Sequence, residues 1–117
     1  MRQQLNEAIG AHGAWKSRLR EAIERGASEV GVTAARDAAR CEFGRWLLQL
    51  PRSDRDPQYF DRVRELHEAF HHEAAAVLEL ALQGRRDEAV LRLAPGSPFE
   101  RLSVQLTHAV LDWARAA

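Results

Sequence analysis

Apolar residues recur at intervals of three and four along almost the whole chain, and no segment alternates strictly between apolar and polar residues. The first spacing is typical of amphipathic helices, and the missing alternation argues against half-buried strands. We therefore predict an all-α fold, an antiparallel four-helix bundle with an additional short helix. Because 117 residues suffice for one buried core, we expect residues 1–117 to form a single domain.

Recognisable start and stop signals separate the predicted helices. Glycine commonly follows the last helical residue, whereas Ser, Thr or Asp caps the first turn and Pro is tolerated just inside it. The predicted boundaries, in chain order, are a stop at Gly26, a second helix from a capping Thr33 to Leu50 before Pro51, a start at Asp56-Pro57, a stop at Gly84, a short helix over 86–93, and a capping box at 97–100.

Charge and hydropathy restrict the classes of partner. Seventeen basic residues balance seventeen acidic ones, so no net field attracts a phosphate backbone or an anionic lipid surface. No apolar run reaches the roughly 20 residues needed to cross a bilayer, and the N-terminal segment lacks the apolar stretch of a signal peptide. We expect no nucleic-acid partner, no membrane insertion and a cytoplasmic location.

Three histidines and the only cysteine fall on apolar faces of three predicted helices. His12 lies in the middle of the first face, Cys41 opens a stripe on the second helix, and His67 and His71 lie one turn apart on the third. Three imidazoles and one thiolate have the ligand count and the chemistry of a tetrahedral zinc site. The sequence therefore predicts that His12, Cys41, His67 and His71 bind one Zn²⁺ ion.

A purely structural interpretation is also open, since a buried histidine can be satisfied by a backbone carbonyl and a buried cysteine can act as a small apolar residue. The chain would then be an inert helical adaptor without metal. Burying all four groups unpaired would cost several kcal/mol, however, and one metal ion would satisfy them together. Three glycines inside helices, Gly10, Gly13 and Gly44, predict close approaches of neighbouring segments, because each weakens its helix.

Blocks of residues around the four candidate ligands resemble the chemoreceptor zinc-binding (CZB) domain family. The closing stretch, 95–113, is similar to the end of that domain. The three blocks are His12-x-x-Trp15-Lys16, Cys41-x-Phe43-Gly44-x-Trp46-Leu47 and Leu66-His67-x-x-Phe70-His71.

The resemblance implies that the matched His, Cys, His and His bind zinc in a dimeric helical bundle. It also implies a sensory and non-enzymatic role, attached to a bacterial chemoreceptor or a diguanylate cyclase, in chemotaxis or cyclic-di-GMP signalling. The signal would be zinc or hypochlorous acid, with the Cys41 thiolate as the switch, since oxidation to sulfenic acid weakens a ligand.

The second helix carries an additional hint of assembly. Its apolar arc is wider than one core-facing stripe requires, with Trp46 on the far side of the arc from Cys41. A homodimer that buries Trp46 would account for this width, although an unusually buried helix in a monomer would as well.

A competing prediction comes from the sequence His67-Glu68-Ala69-Phe70-His71, which is a literal H-E-x-x-H. In zinc metalloproteases, the two histidines of this pattern hold the metal and the Glu activates water, so Glu68 would be a general base. Hydrolysis requires an open coordination position, which a thiolate from Cys41 would close. The chain is therefore expected not to be an enzyme.

Overall fold

A computed structural model describes all residues, 1–117, and it contains α-helices and short 3-10 turns but no strand. The prediction of an all-α fold is confirmed. The helices are α1 (Arg2–Arg25), α2 (Val32–Arg36), α3 (Glu42–Gln49), α4 (Pro57–Leu82), α5 (Arg86–Arg92) and α6 (Pro98–Ala116), with 3-10 turns at Ala38–Arg40 and Arg52–Asp54.

Most of the predicted helix ends lie where the capping residues placed them. α1 ends at Gly26, which adopts the left-handed conformation with φ 64°. The side chain of Asp56 accepts a hydrogen bond from the Gln58 amide at the start of α4. Ser97 caps α6 in the same way, through the Glu100 amide. These side chains and the glycine satisfy backbone groups that the helix ends leave without partners.

The prediction of one continuous helix over 33–50 is wrong. Gly31 rather than Thr33 precedes α2, and the segment is divided into α2, the Ala38–Arg40 turn and α3. Asp37 causes the first break, since its carboxylate accepts from the Ala39 amide at 3.0 Å and caps a new turn. The second break is at Cys41, whose backbone is extended, with φ −68° and ψ 139°.

The three long helices, α1, α4 and α6, pack along one another. Arg2 at the start of α1 donates to the carbonyl oxygen of Ala114 at the end of α6, so these two helices are antiparallel. Ring contacts between α4 and α6 pair early residues of one helix with late residues of the other, namely Phe60 with Trp113 and Phe70 with Phe99. α6 therefore runs against both α1 and α4, as in an up-down bundle.

The broken segment, α2 to α3, takes the fourth position in this bundle. Near its start the Ala35 carbonyl meets His71, and further along the Phe43 ring lies 5.2 Å from the His67 ring. The segment consequently runs antiparallel to α4. The second segment is thus broken into shorter helices, but it still takes one of the four positions of the predicted antiparallel bundle.

The buried side chains form one core that draws on every helix, from Leu5 to Ala114. Only four polar residues lie within it, and three of them are histidines: His12, His67, His71 and Ser97. None of the helices is long and apolar enough to cross a lipid bilayer. The histidines are therefore the conspicuous polar feature of the interior.

Candidate metal centre

The four residues singled out by the sequence lie together. One side-chain ligand atom from each of His12, Cys41, His67 and His71 lies within 4.8 Å of every other. They come from three separate parts of the chain, namely α1, the residue before α3, and α4. The other two histidines, His72 and His108, are exposed and lie outside the cluster.

His12 is held by its own helix. The residue is 7% exposed, and its Nδ1 lies 2.7 Å from the carbonyl oxygen of Ala8, one turn earlier in α1. Because a carbonyl only accepts, Nδ1 carries the proton and donates it. Nε2 is then left with its lone pair, and it lies 3.7 Å from the Cys41 sulfur. The backbone thus selects the tautomer that can bind a metal through Nε2.

His71 is oriented by a different segment. Its Nδ1 lies 2.9 Å from the carbonyl oxygen of Ala35 in α2 and donates to it, so its Nε2 also keeps a lone pair. That Nε2 lies 3.1 Å from Nε2 of His67, one turn earlier on the same face of α4. Two lone pairs and a third ring nitrogen therefore converge on one point.

Cys41 reaches this point because the chain is extended there. As the residue preceding α3, it turns its sulfur back toward the histidines while remaining partly exposed. Burial on its own would raise the pKa of the thiol. The close contact with His12 and the amides of Gly44 and Phe43 together outweigh burial and bring the pKa below its usual value. The thiolate, which is the form that binds metal, therefore forms more readily than in a free cysteine.

Burial lowers the pKa values of His67 and His71, which favours their neutral, metal-binding form. Desolvation, with the nearby His12 and His71, lowers the pKa of His67 to about 2. Desolvation lowers the pKa of His71 as well, partly opposed by the Ala35 carbonyl and the Asp37 charge. Neutral imidazoles carry a free lone pair, whereas imidazolium ions do not.

Aromatic rings pack around the cluster. Phe43 and Phe70 form T-shaped contacts with the His12 ring, with centroids 5.8 and 5.4 Å away, and Trp15 lies 5.9 Å from His71. An open cleft of about 840 Å³ runs between α1 and the α2–α3 segment, and its lining includes Phe43 and Trp15 together with His12, Cys41 and His71. Of these three cluster residues, the histidines are buried and Cys41 is half-buried. The sulfur is thus the part of the cluster best reached from solvent.

The donor set fits a zinc ion. A tetrahedral ion with the usual bond lengths separates two nitrogen ligands by about 3.3 Å and a nitrogen from a sulfur by about 3.5 Å. The corresponding distances are 3.1 Å between His67 and His71 and 3.7 Å between His12 and Cys41. Three neutral imidazoles with one thiolate also match the ligand chemistry that zinc prefers.

Glu68, the candidate general base, lies outside the cluster. Its side chain is 54% exposed and forms a salt bridge of 3.5 Å with Arg64, one turn earlier on α4. The two histidines of the H-E-x-x-H sequence therefore point into the centre, whereas its glutamate points to solvent. Cys41, and not Glu68, lies where it can provide the fourth ligand beside the three histidines.

Two parts of the site were not predicted from the sequence. The carbonyl oxygens of Ala8 and Ala35 orient two imidazoles, yet a carbonyl belongs to every residue and leaves no pattern. The turn that delivers Cys41 did have a signal, because Asp37 is a residue type that often caps a turn two positions later.

The fold is an all-helical bundle, and its interior brings together three buried histidines and one half-buried cysteine. These two features place the protein in the class of helical bundles that bind a metal ion through side chains of the core. The family model of the chemoreceptor zinc-binding domain matches residues 12–78, which begin at His12 and include all four cluster residues. The chain belongs to the chemoreceptor zinc-binding domain family. No curated protein and no solved structure matches the chain. The similarity of the closing stretch, 95–113, to the end of the domain lies outside the matched range and stays a prediction.

Proposed function

We propose that residues 1–117 form a single sensory domain in which His12, Cys41, His67 and His71 hold one zinc ion. The observation that carries the proposal is the convergence of these ligand atoms within 4.8 Å from three parts of the chain. Membership in a zinc-binding family supports the choice of metal. The continuous core, built from every helix, supports a single domain.

Cys41 is the switch in this proposal, and the histidines are the anchor. The histidines sit on long helices and are nearly inaccessible, while Cys41 belongs to the short broken segment and borders the open cleft. Bound zinc would hold the sulfur as a thiolate. Hypochlorous acid would convert the thiolate to sulfenic acid and release chloride, so that the sulfur loses two electrons and gains a hydroxyl group.

Sulfenic acid is a poorer ligand than thiolate, so oxidation would free Cys41 and with it the α2–α3 segment. A change in zinc occupancy would act on the same segment, since any ligand stabilises the conformation that binds it. The output proposed from family membership is a chemotaxis receptor or a diguanylate cyclase of the cyclic-di-GMP pathway. The domain itself carries no catalytic role in this proposal.

Elemental analysis tests the metal and the switch together. Protein purified without added metal should contain one zinc per chain and should lose it after stoichiometric hypochlorous acid. Cys41→Ser protein loaded with zinc should no longer respond to the oxidant, because the remaining ligands are imidazoles. A metal-free wild type that takes up no zinc on titration would exclude the proposed function, and an oxidant response that survives in Cys41→Ser would exclude the switch.

We also propose that the domain is a homodimer that uses the exposed face of α3. Trp46 already stacks on Phe43 and contacts Trp113, so it is partly satisfied within one chain. Leu48, by contrast, is 62% exposed. Light scattering should give a dimer for wild type and a monomer for Leu48→Glu. Leu91→Glu, at a similarly exposed leucine of α5, is the matched control and should remain dimeric.

A further inference from the structure

Gly44 occupies the one glycine position in the chain where a side chain has no room. A Cβ atom built there would overlap the carbonyl oxygen of Ala38, and it would lie 2.9 Å from the carbonyl carbon and 3.2 Å from Cε1 of His67. Cβ atoms in proteins essentially never come closer than 3.0 Å to such atoms. At the other six glycines nothing lies within 4 Å of the added atom. The predicted close approach thus occurs at Gly44 and not at Gly10 or Gly13.

The crowded atoms belong to the turn that leads into Cys41. The Cys41 amide donates to the Ala38 carbonyl oxygen at 3.3 Å, and the Cys41 carbonyl accepts from the Arg45 amide at 2.9 Å. The backbone of Cys41 is therefore hydrogen-bonded to the Ala38–Arg40 turn on one side and to α3 on the other. The distance between these two elements sets where the Cys41 backbone lies, and Gly44 lets them touch.

The second crowded neighbour is a ring of the cluster. His67 packs its Cε1 edge against the bare backbone of Gly44, next to the Nε2 that faces His71. The same glycine thus borders two of the four cluster residues, but the severe overlap is with the turn before Cys41, since at 3.2 Å the His67 ring would have to move by only a few tenths of an ångström. Neither obstacle is the far end of a flexible side chain, since one is backbone and the other is a fully buried ring.

We infer that Gly44 is a positioning residue for the metal centre. Its missing side chain brings the Ala38–Arg40 turn onto α3 at the depth that carries the Cys41 sulfur to the three imidazoles. An added methyl group would push the turn away from α3 and withdraw the sulfur, while His12 and the α4 histidines remain on their own helices. This inference rests on the proposed zinc site, and it specifies that Gly44 acts through Cys41.

Gly44→Ala tests the inference, with Gly13→Ala as the matched control one residue from His12. Loss of a supporting residue around a metal site commonly weakens binding by about 10–100-fold. We expect a loss of about that size in zinc affinity for Gly44→Ala and none for Gly13→Ala, measured by competition with a chelating dye. Cobalt substitution should show a thiolate-to-cobalt charge-transfer band in wild type and in Gly13→Ala, and a weaker band in Gly44→Ala.

A double variant separates positioning from general damage. If Gly44 acts through the sulfur, Gly44→Ala should change zinc affinity by less than about threefold in a Cys41→Ser background, because coupled sites are not additive. Additive losses, an unchanged band or a Gly44→Ala chain that fails to fold without metal would each overturn the inference. A wild type with no zinc affinity and no thiolate band would instead remove the proposed function itself.

Discussion

Replacing Cys41 by serine removes the only soft ligand of the cluster while it preserves the size of the side chain. Structural zinc sites with four ligands bind with about 10–16 kcal/mol, so an even share is about 3 kcal/mol per ligand. At about 1.4 kcal/mol for each tenfold change, the affinity for zinc should fall about 100-fold. The half-buried position and the separate core contacts of the long helices leave the metal-free fold nearly unchanged.

The loss of zinc affinity in Cys41→Ser can be measured as a smaller zinc-dependent rise in Tm. Free zinc at about 100 times the wild-type dissociation constant stabilises wild type by about 2.7 kcal/mol, but a variant with 100-fold weaker affinity gains only about 0.4 kcal/mol. For a chain of this length, about 4 °C in Tm corresponds to 1 kcal/mol. Zinc should therefore raise Tm by about 11 °C in wild type and by about 2 °C in Cys41→Ser.

The assay is differential scanning calorimetry with and without zinc, and His72→Ala is the control. His72 is an exposed neighbour of His71 that lies outside the cluster, so its variant should keep the full zinc-dependent rise. The reasoning is refuted if Cys41→Ser keeps the wild-type rise, since the sulfur would then not be a ligand. It is equally refuted if His72→Ala loses the rise, because the set of ligands would be wrong.

Three further predictions concern acidity, the glutamate of the H-E-x-x-H sequence and the core. Zinc affinity should fall as pH is lowered from about 7.5 to about 5.5, because protons compete with zinc for the Cys41 sulfur, whereas His67, with a pKa of about 2, stays neutral over this range; titrations of Cys41→Ser should therefore give a shallower dependence. Glu68→Gln should leave zinc affinity unchanged and cost less than about 1 kcal/mol, since only an exposed salt bridge to Arg64 is lost; a peptidase activity that disappears in this variant would contradict the sensory role. Phe70→Ala should destabilise the protein by about 3–5 kcal/mol in urea unfolding, because the ring is fully buried, whereas a loss of similar size for Leu91→Ala, at a 70% exposed residue, would show that burial is not the cause.

The long helices could be predicted because their signals are local. Gly26 and Asp56 act on the turn next to them, so their effect follows from residue type and position alone. The periodic placement of His12 on an apolar face likewise predicts its burial, since a long regular helix leaves no freedom in which face points inward.

The second segment could not be predicted in the same way, because there a local competitor overrides the periodicity. The apolar spacing over 33–50 is compatible with one helix, and the capping bond of Asp37 with the extended backbone of Cys41 breaks it. The close approaches predicted from the glycines were limited in a similar way. A glycine indicates that a side chain is absent, but whether anything fills the space depends on tertiary contacts, which exist at Gly44 and not at Gly10.

The orientation of two imidazoles by main-chain oxygens has an evolutionary consequence. At positions 8 and 35 the contribution to the centre is the peptide group, and the buried methyl of each alanine only has to be small. Glycine or serine at either position would supply the same acceptor, so the residue type there is constrained by size and by helix stability and not by the metal centre. At these two positions, related chains need to keep the path of the backbone and not a particular side chain. The tautomers of His12 and His71 are then conserved wherever the fold is conserved.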